Sequence, residues 1–264
     1  MSTGTDAAPT APERVRLTPD GGVRVLTLDR PPLNVLDIAS LRELERTVSR
    51  VAGDPDAVVL LVTGAGKAFC AGVDVADHMG GRVEAMMSAL HGALTAVAGL
   101  QIPTVAALNG AALGGGLELA LACDLVVARA GAKLGQPEIR LGVFPPFAAA
   151  VLPARCGRAV AMDVCLSGRT FPAEEAVSMG LVQRVLPSDD FGDTALAWAR
   201  DLASLSPPVL QLAKRAVDAG ARLPLDTALR EAERLYLDEL MRLDDAREGL
   251  AAFLDKRPPI WKGA

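Results

Sequence analysis

Residues 103–128 run PTVAALNGAALGGGLELALACDLVVA, and three local patterns follow one another within them. Pro103 opens a short apolar run, 104–108, of strand length and strand composition. Three consecutive glycines, Gly114 to Gly116, then lead an apolar stretch ending at Cys123 that has the character of a helix. Residues 124–128 return to strand. A strand, a helix and a strand at this spacing predict an α/β fold.

The alternation extends to either side. Residues 23–29 (VRVLTLD) are rich in β-branched side chains and stop at Arg30-Pro31-Pro32, where paired prolines end any regular element. From Asp37 the period changes: Ile38, Leu41, Leu44, Val48 and Val51 recur at three- and four-residue steps. That is one buried helix face with Asp37 as its N-cap. Residues 57–63 are continuously apolar, as expected of a strand covered on both faces, and a glycine turn follows at Gly64-Ala65-Gly66. Residues 80–99 predict another helix. Beyond Pro187 the stretches 193–204, 208–219, 225–240 and 245–254 are all helical in pattern, with no strand between them. The expected organisation is a frayed tail over 1–13, an α/β core over 14–190 and a helical C-terminal region over 191–264.

Composition narrows the function. Of 264 residues 50% are hydrophobic but only 3% aromatic, which excludes a disordered chain and a binder that stacks on bases. The net charge of −5 gives no electrostatic footprint for a phosphate backbone, so nucleic acid is not an expected partner. Cys70, Cys123, Cys156 and Cys165 are scattered and only two histidines accompany them, a pattern that fits neither a metal site nor a disulfide framework. Residues 1–13 lack the apolar segment of a signal peptide, and no apolar run reaches the roughly 18 residues that span a bilayer. A soluble protein of a reducing compartment, the cytoplasm, is expected, without a membrane partner. Cys70 is assigned to packing, and His78 and His91 to structural or surface roles.

Two glycine-rich segments need separating from phosphate-binding loops. TGAGKAF, residues 63–69, has Leu61 where a P-loop needs its first glycine and Ala68 where it needs a hydroxyl. The run Gly110 to Gly116 does not have the spacing of a dinucleotide fingerprint. What Gly114-Gly115-Gly116 does offer is close backbone approach at a helix start, where free N–H groups and the positive dipole end suit a developing oxyanion. Glu118, one turn in, complements that dipole or serves chemistry beside it. Twenty residues on, Gly135-Gln136-Pro137-Glu138 sets a second carboxylate at a glycine turn. Two such glutamates in apolar flanks can form an acid/base pair with shifted pKa values.

Taken together, Lys67-Ala-Phe-Cys-Ala-Gly-Val-Asp74, Asn109-Gly-Ala-Ala-Leu-Gly-Gly-Gly-Leu-Glu118 and Gly135-Gln-Pro-Glu138 closely resemble the enoyl-CoA hydratase/isomerase (crotonase) superfamily. The resemblance runs on through Leu166-Ser-Gly-Arg169, Ala176-x-x-x-Gly-Leu-Val182 and Glu248-Gly-Leu-x-Ala-Phe253, from about Val23 to Lys262. It implies an α/β spiral of ββα units over 14–190, with a helical region over 191–264 that builds a homotrimer or a dimer of trimers. An acyl-CoA substrate is implied, with no separate cofactor because coenzyme A is part of that substrate. By the same resemblance the N–H groups of Val73 and Gly115 form an oxyanion hole, and Glu118 and Glu138 act as general acid and base on water. Lys67, Phe69, Ala71, Asp74, Phe144, Pro146, Phe147, Phe253 and Lys256 are implied to contact substrate. Keeping both glutamates favours a hydratase. The alternatives are a double-bond isomerase on the same fold and a CoA-thioester-binding protein without turnover.

Two departures stand out. Relatives have a glycine whose N–H helps hold the catalytic water where this chain has Pro146, and proline has no N–H to donate. Ala76 stands where many relatives carry lysine. Phe144-Pro-Pro-Phe147, Arg30-Pro-Pro-Leu-Asn-Val-Leu-Asp37 and Phe253-Leu-Asp-Lys-Arg-Pro-Pro-Ile-Trp261 are similar to cyclohexa-1,5-diene-1-carbonyl-CoA hydratases. A stiff, aromatic-flanked pocket suits a flat ring.

Overall fold

Strands β1 (Val15–Asp20) and β2 (Val23–Leu28) pair antiparallel around Gly21-Gly22, and Gly21 takes the left-handed conformation that such a two-residue turn needs. A computed structural model describes residues 13–264; the expected tail, apart from Glu13, lies outside the described residues. Helix α1 (Ile38–Ala52) starts where the pattern placed it. Asp37 accepts the Ser40 N–H at 2.8 Å, and Leu41, Leu44, Val48 and Val51 form its buried face.

Strands β3 (Val59–Gly64), β5 (Thr104–Leu108), β7 (Leu125–Arg129) and β10 (Arg184–Leu186) extend the hairpin into a six-stranded sheet ordered β1-β2-β3-β5-β7-β10, parallel from β2 onward. Alternation along these strands divides the core into two layers. Leu60, Val62, Ala106 and Leu108 face the main core with α1 and α2 (Val83–Ala98). Val59, Leu61, Val105, Ala107 and Val127 face Phe191, Ala195 and Ala199 of α6 (Phe191–Ala203). Burial on both faces is the reason the strands are apolar without interruption. It also makes α6, the first helix of the C-terminal run, a layer of the sheet packing.

A second sheet, for which the ββα units implied by the resemblance provide, is absent from the pattern of residues. After β3, β5 and β7 the chain adds a three-residue strand each time: β4 (Ala68–Cys70), β6 (Ala111–Leu113) and β8 (Lys133–Gly135). These align in parallel, and β9 (Thr170–Pro172) closes the order β4-β6-β8-β9 antiparallel to β8. Three residues carry no detectable period, which is why pattern alone passes over them. Helix α3 (Gly115–Ala122) follows β6. The long helix α4 (Pro146–Ser167) follows β8 by way of a 3₁₀ turn at Pro137–Leu141. Pro153 inside α4 and the kink at Gly157 hide that helix from a sequence reading. A short helix, α5 (Ala173–Ser178), links β9 to β10.

The C-terminal region is helical as expected. It consists of α7 (Pro207–Arg222), α8 (Leu225–Arg234) continuing through a π turn at Leu235–Glu239, and α9 (Asp244–Leu254). Lys214 ties α7 to the sheet, its Nζ lying 2.6 Å from Asp124 and 3.1 Å from the Ile102 carbonyl. Among the described residues no helix is long and apolar enough to cross a membrane.

The contact between α3 and β4 is close enough to test. A Cβ at Gly116 would be driven into the Cys70 carbonyl, whereas one at Gly192, at the start of α6, meets nothing within 4 Å. Gly116→Ala is expected to cost about 1–3 kcal/mol by overpacking. Gly192→Ala is expected to be neutral or to stabilise by up to about 1 kcal/mol. Thermal melting of the two variants beside the parent measures both.

Candidate active site

The site grows from the start of α3. Gly114 has φ +53 and ψ −131, a conformation closed to residues with side chains. The place its Cβ would take is 2.6 Å from Glu138 Oε1. At Gly115 the corresponding point is 2.6 Å from Val73 Cγ2 and 3.6 Å from the Val73 nitrogen. Two absent side chains therefore let a carboxylate and a second backbone segment close on the helix start from different sides.

Both segments bring uncommitted backbone donors. The Gly114 N–H goes to the Gly135 carbonyl at 3.0 Å, but Gly115 is the first helical residue, so its N–H has no partner within the helix. Val73 forms an isolated parallel bridge with Leu36. The bonds of that bridge are Leu36 N–H to the Gly72 carbonyl and the Asp74 N–H to the Leu36 carbonyl, both 2.9 Å. The residue between the bonded pair faces the other way, so the Val73 N–H points away from Leu36.

Two carboxylates complete the group. Glu118, on α3, is 2% exposed, and its Oε1 accepts the Ala148 N–H at 2.9 Å. Burial pushes its pKa up, against the pull of the Ala148 and Phe147 N–H groups at the start of α4. Glu138, in the 3₁₀ turn, is pushed up to about 7 by burial. A hydrogen bond to its own backbone works against the rise, and the charge of Glu118 adds to it. Among the described residues no cation is paired with either group. Gln136, wholly buried, does that work for Glu138. With its amide nitrogen turned toward the carboxylate it donates at 3.1 Å to both oxygens and at 3.2 Å to the Gly114 carbonyl. Gln136 is absent from the expected site residues. Its place is the N-cap position of the 3₁₀ turn that carries Glu138, two residues before the carboxylate.

The expected substrate contacts divide. Ala71 and Asp74 flank Val73, and Asp74 caps the 3₁₀ turn Val75–His78 by accepting the Ala76 N–H at 3.1 Å. Lys67 is exposed in the turn between β3 and β4. Phe69 is a correction: its ring lies wholly inside the main core, because the short β4 turns it inward, and only its backbone faces neighbouring loops. Phe144 is 64% exposed and stands with Ile139, Leu141 and Val143 as an apolar rim beside Glu138. Pro146 and Phe147 open α4, half-buried, and Phe147 packs on the core. Pro146 donates nothing, and the first N–H groups after it go to Glu118. Phe253, 81% exposed, and Lys256 stand on the surface at the end of α9. Cys70 is buried, which pushes its thiol up to about 12, as a packing residue requires. Among the described residues no three His, Cys, Asp or Glu side chains gather as a metal would need.

The raised Glu138 carboxyl couples folding to pH. Between its ordinary value of 4.5 and about 7 the folded chain holds a proton that the unfolded chain has released. Stability from this group is therefore greatest at low pH and is lost as pH rises through about 7. Glu138→Gln is expected to be more stable than the parent by a margin that grows from pH 5 to pH 8, read from urea midpoints across that range.

Comparison with known proteins gives the family. A family profile described as Enoyl-CoA hydratase/isomerase matches residues 18–264. A protein of Mycobacterium tuberculosis named probable enoyl-CoA hydratase echA8 is 38% identical over 253 residues, covering 94% of this chain and 97% of that protein. The cyclohexa-1,5-dienecarbonyl-CoA hydratase of Thauera aromatica is also 38% identical over 253 residues, covering 96% and 97%. The crystal structure of an enoyl-CoA hydratase from Bacillus anthracis superposes with a TM-score of 0.91 at 34% identity, over 95% of this chain and all of that one. The chain belongs to the enoyl-CoA hydratase/isomerase family of enzymes, the crotonase superfamily.

Proposed function

We propose that this enzyme adds water across the double bond of an enoyl-CoA or cyclic dienoyl-CoA thioester, with Glu118 and Glu138 as its acid/base pair. The observation that carries the proposal is the convergence of one buried carboxylate, Glu118, one half-buried carboxylate, Glu138, and two uncommitted backbone donors on the Gly114-Gly115 turn.

The thioester oxygen accepts from the N–H groups of Val73 and Gly115. Fixed donors aimed where negative charge develops stabilise an enolate more than they stabilise the starting carbonyl. A water molecule lies between the carboxylates. Glu118 is the base: its contact with the first N–H groups of α4 favours the ionised form despite burial. It takes one proton from the water as the oxygen bonds to the β-carbon and the double-bond electrons move onto the thioester oxygen. Glu138, poised near 7, is the acid. It passes its proton to the α-carbon as the carbonyl re-forms, and the proton then held by Glu118 returns the pair to its starting state through solvent. Lys67, Ala71 and Asp74 lie along the CoA moiety, and the acyl group meets Phe144, Pro146 and Phe147. Phe253 and Lys256 serve the site of a neighbouring copy in a homotrimer or a dimer of trimers, and the enzyme works in the cytoplasm. The prolines beside Phe144 make a stiff wall that suits a ring, and the Thauera relative is named for a cyclic dienoyl substrate.

The missing N–H at Pro146 favours a second reading, an isomerase in which one glutamate shuttles a proton and no water is added. Incubation of crotonyl-CoA and a cyclic dienoyl-CoA in ¹⁸O-water separates the two. The hydratase yields a labelled hydroxyacyl product; a rearranged, unlabelled product overturns it. Glu118→Gln and Glu138→Gln are each expected to lower kcat by roughly 100-fold or more. If the parent turns over and neither change slows it tenfold, the roles given to these residues are wrong.

A further inference from the structure

Residues 30–37 connect β2 to α1 and carry none of the groups in the proposed reaction. They are nevertheless bonded to the segment 65–74 along most of their length. The Ala71 N–H donates to the Leu33 carbonyl at 3.0 Å, and the Leu36–Val73 bridge follows two residues on. Between them stands Asn34, 1% exposed and at φ +55, in the left-handed region where side chains are uncommon. Its Nδ2 donates to the carbonyls of Ala68 at 2.8 Å, Ala65 at 2.9 Å and Phe69 at 3.2 Å. Its Oδ1 accepts the Arg30 N–H at 3.0 Å. At the far end the Arg30 guanidinium donates to the Val35 carbonyl at 2.8 Å and lies 3.5 Å from Asp74.

We infer that this segment is a template that aims the Val73 N–H, and that Asn34 is the positioning residue that sets its register. The inference rests on the functional reading above, since it takes Val73 as a donor to the thioester oxygen. In a parallel pairing the residues on either side of Val73 bond to Leu36 and Val73 itself faces the opposite way. A slip of one residue would turn the Val73 N–H toward Leu36 and present its neighbours instead. The register thus selects the donor, and Asn34 is the side chain that locks the template to the β3–β4 turn. Asparagine suits the place because it tolerates a positive φ and offers N–H donors and a carbonyl acceptor together. Aspartate would set an oxygen against three carbonyl oxygens.

The test uses the full chain with Asn34→Gly, which keeps the backbone freedom and deletes the side-chain bonds, and Asn34→Asp, which keeps the shape. The probe is a cinnamoyl-CoA with a para-amino donor, whose absorption moves to the red when its carbonyl oxygen is hydrogen-bonded. Both variants are expected to bind the probe within about threefold of the parent and to lose most of the red shift. Their kcat is expected to fall by roughly 10- to 100-fold with little change in KM, short of the loss of a whole oxyanion donor. Full retention of the red shift, or an unchanged kcat in Asn34→Gly, overturns the template and leaves the functional reading standing. A parent enzyme that neither shifts the probe nor turns over an enoyl thioester overturns both. If circular dichroism shows the Asn34 variants unfolded, Arg30→Gln takes their place. Loss of the shift in Arg30→Gln supports the template, and full retention overturns it.

Discussion

Three peptide units without side chains, Gly114 to Gly116, meet three separate segments of the chain at once. Gly114 lies against the Glu138 carboxylate, Gly115 against Val73, and Gly116 against the Cys70 carbonyl. Each contact is closer than a Cβ allows, so the constraint is steric before it is chemical. It fixes how near α3 can come to β4 and to the turn that carries Glu138. That nearness brings Glu118 under the start of α4 and sets the Gly115 N–H beside Val73. A single methyl group at any of the three positions would push apart the parts that the site needs in contact.

Close packing of this kind creates an electrostatic cost. A buried and a half-buried carboxylate have no cation paired to either among the described residues, and burial raises both. The fold answers with neutral donors. Backbone N–H groups at the α4 start favour the ionised form of Glu118, and the Gln136 amide meets Glu138. A lysine or arginine in the same place would hold both glutamates ionised, and neither could then deliver a proton near neutral pH. The dipoles offset the burial of Glu118 only in part, and its carboxyl stays above its ordinary value, as does that of Glu138.

How much of this was legible in the sequence depended on what each feature leaves in the order of residues. Helix α1 was readable to its cap because its apolar face repeats over fifteen residues and Asp37 is a strong N-cap. The middle of the large sheet, β2, β3, β5 and β7, was readable because its strands leave apolar runs of strand length, whereas the edge strands β1 and β10 went unread. The small sheet was not, since β4, β6 and β8 are three residues each and are defined by pairing with distant partners. Helix α4 was hidden by Pro153 and Gly157, which signal breaks yet sit inside it. In the site, the glycine run and the two glutamates were visible as motifs. Phe69 was misplaced because its neighbourhood in sequence says nothing about which face of a three-residue strand it occupies. Asn34 went unassigned for a related reason: its partners at 65–69 lie on another segment, and hydrogen bonding across the fold has no local signature.

The small sheet, which leaves no mark in the residue pattern, also explains why the candidate site lies where it does. Strands β4, β6 and β8 are parallel neighbours, and each is the second strand of its own ββα unit. Parallel strands end on the same side, so the residues that follow them are brought together although they are distant in the chain. After β4 comes Val73, after β6 come Gly115 and Glu118, and after β8 come Gln136 and Glu138. One unit supplies a backbone donor, the next a donor and a carboxylate, and the third a carboxylate with its own amide partner. The repeat that builds the fold therefore also distributes the residues of the candidate site. The 33–36 segment, lying along the chain just after β4, is the one part of the assembly that comes from outside the three units. The β1–β2 hairpin and α1 that precede the first of them add no strand to the small sheet, and Asn34 with its neighbours lies beside β4.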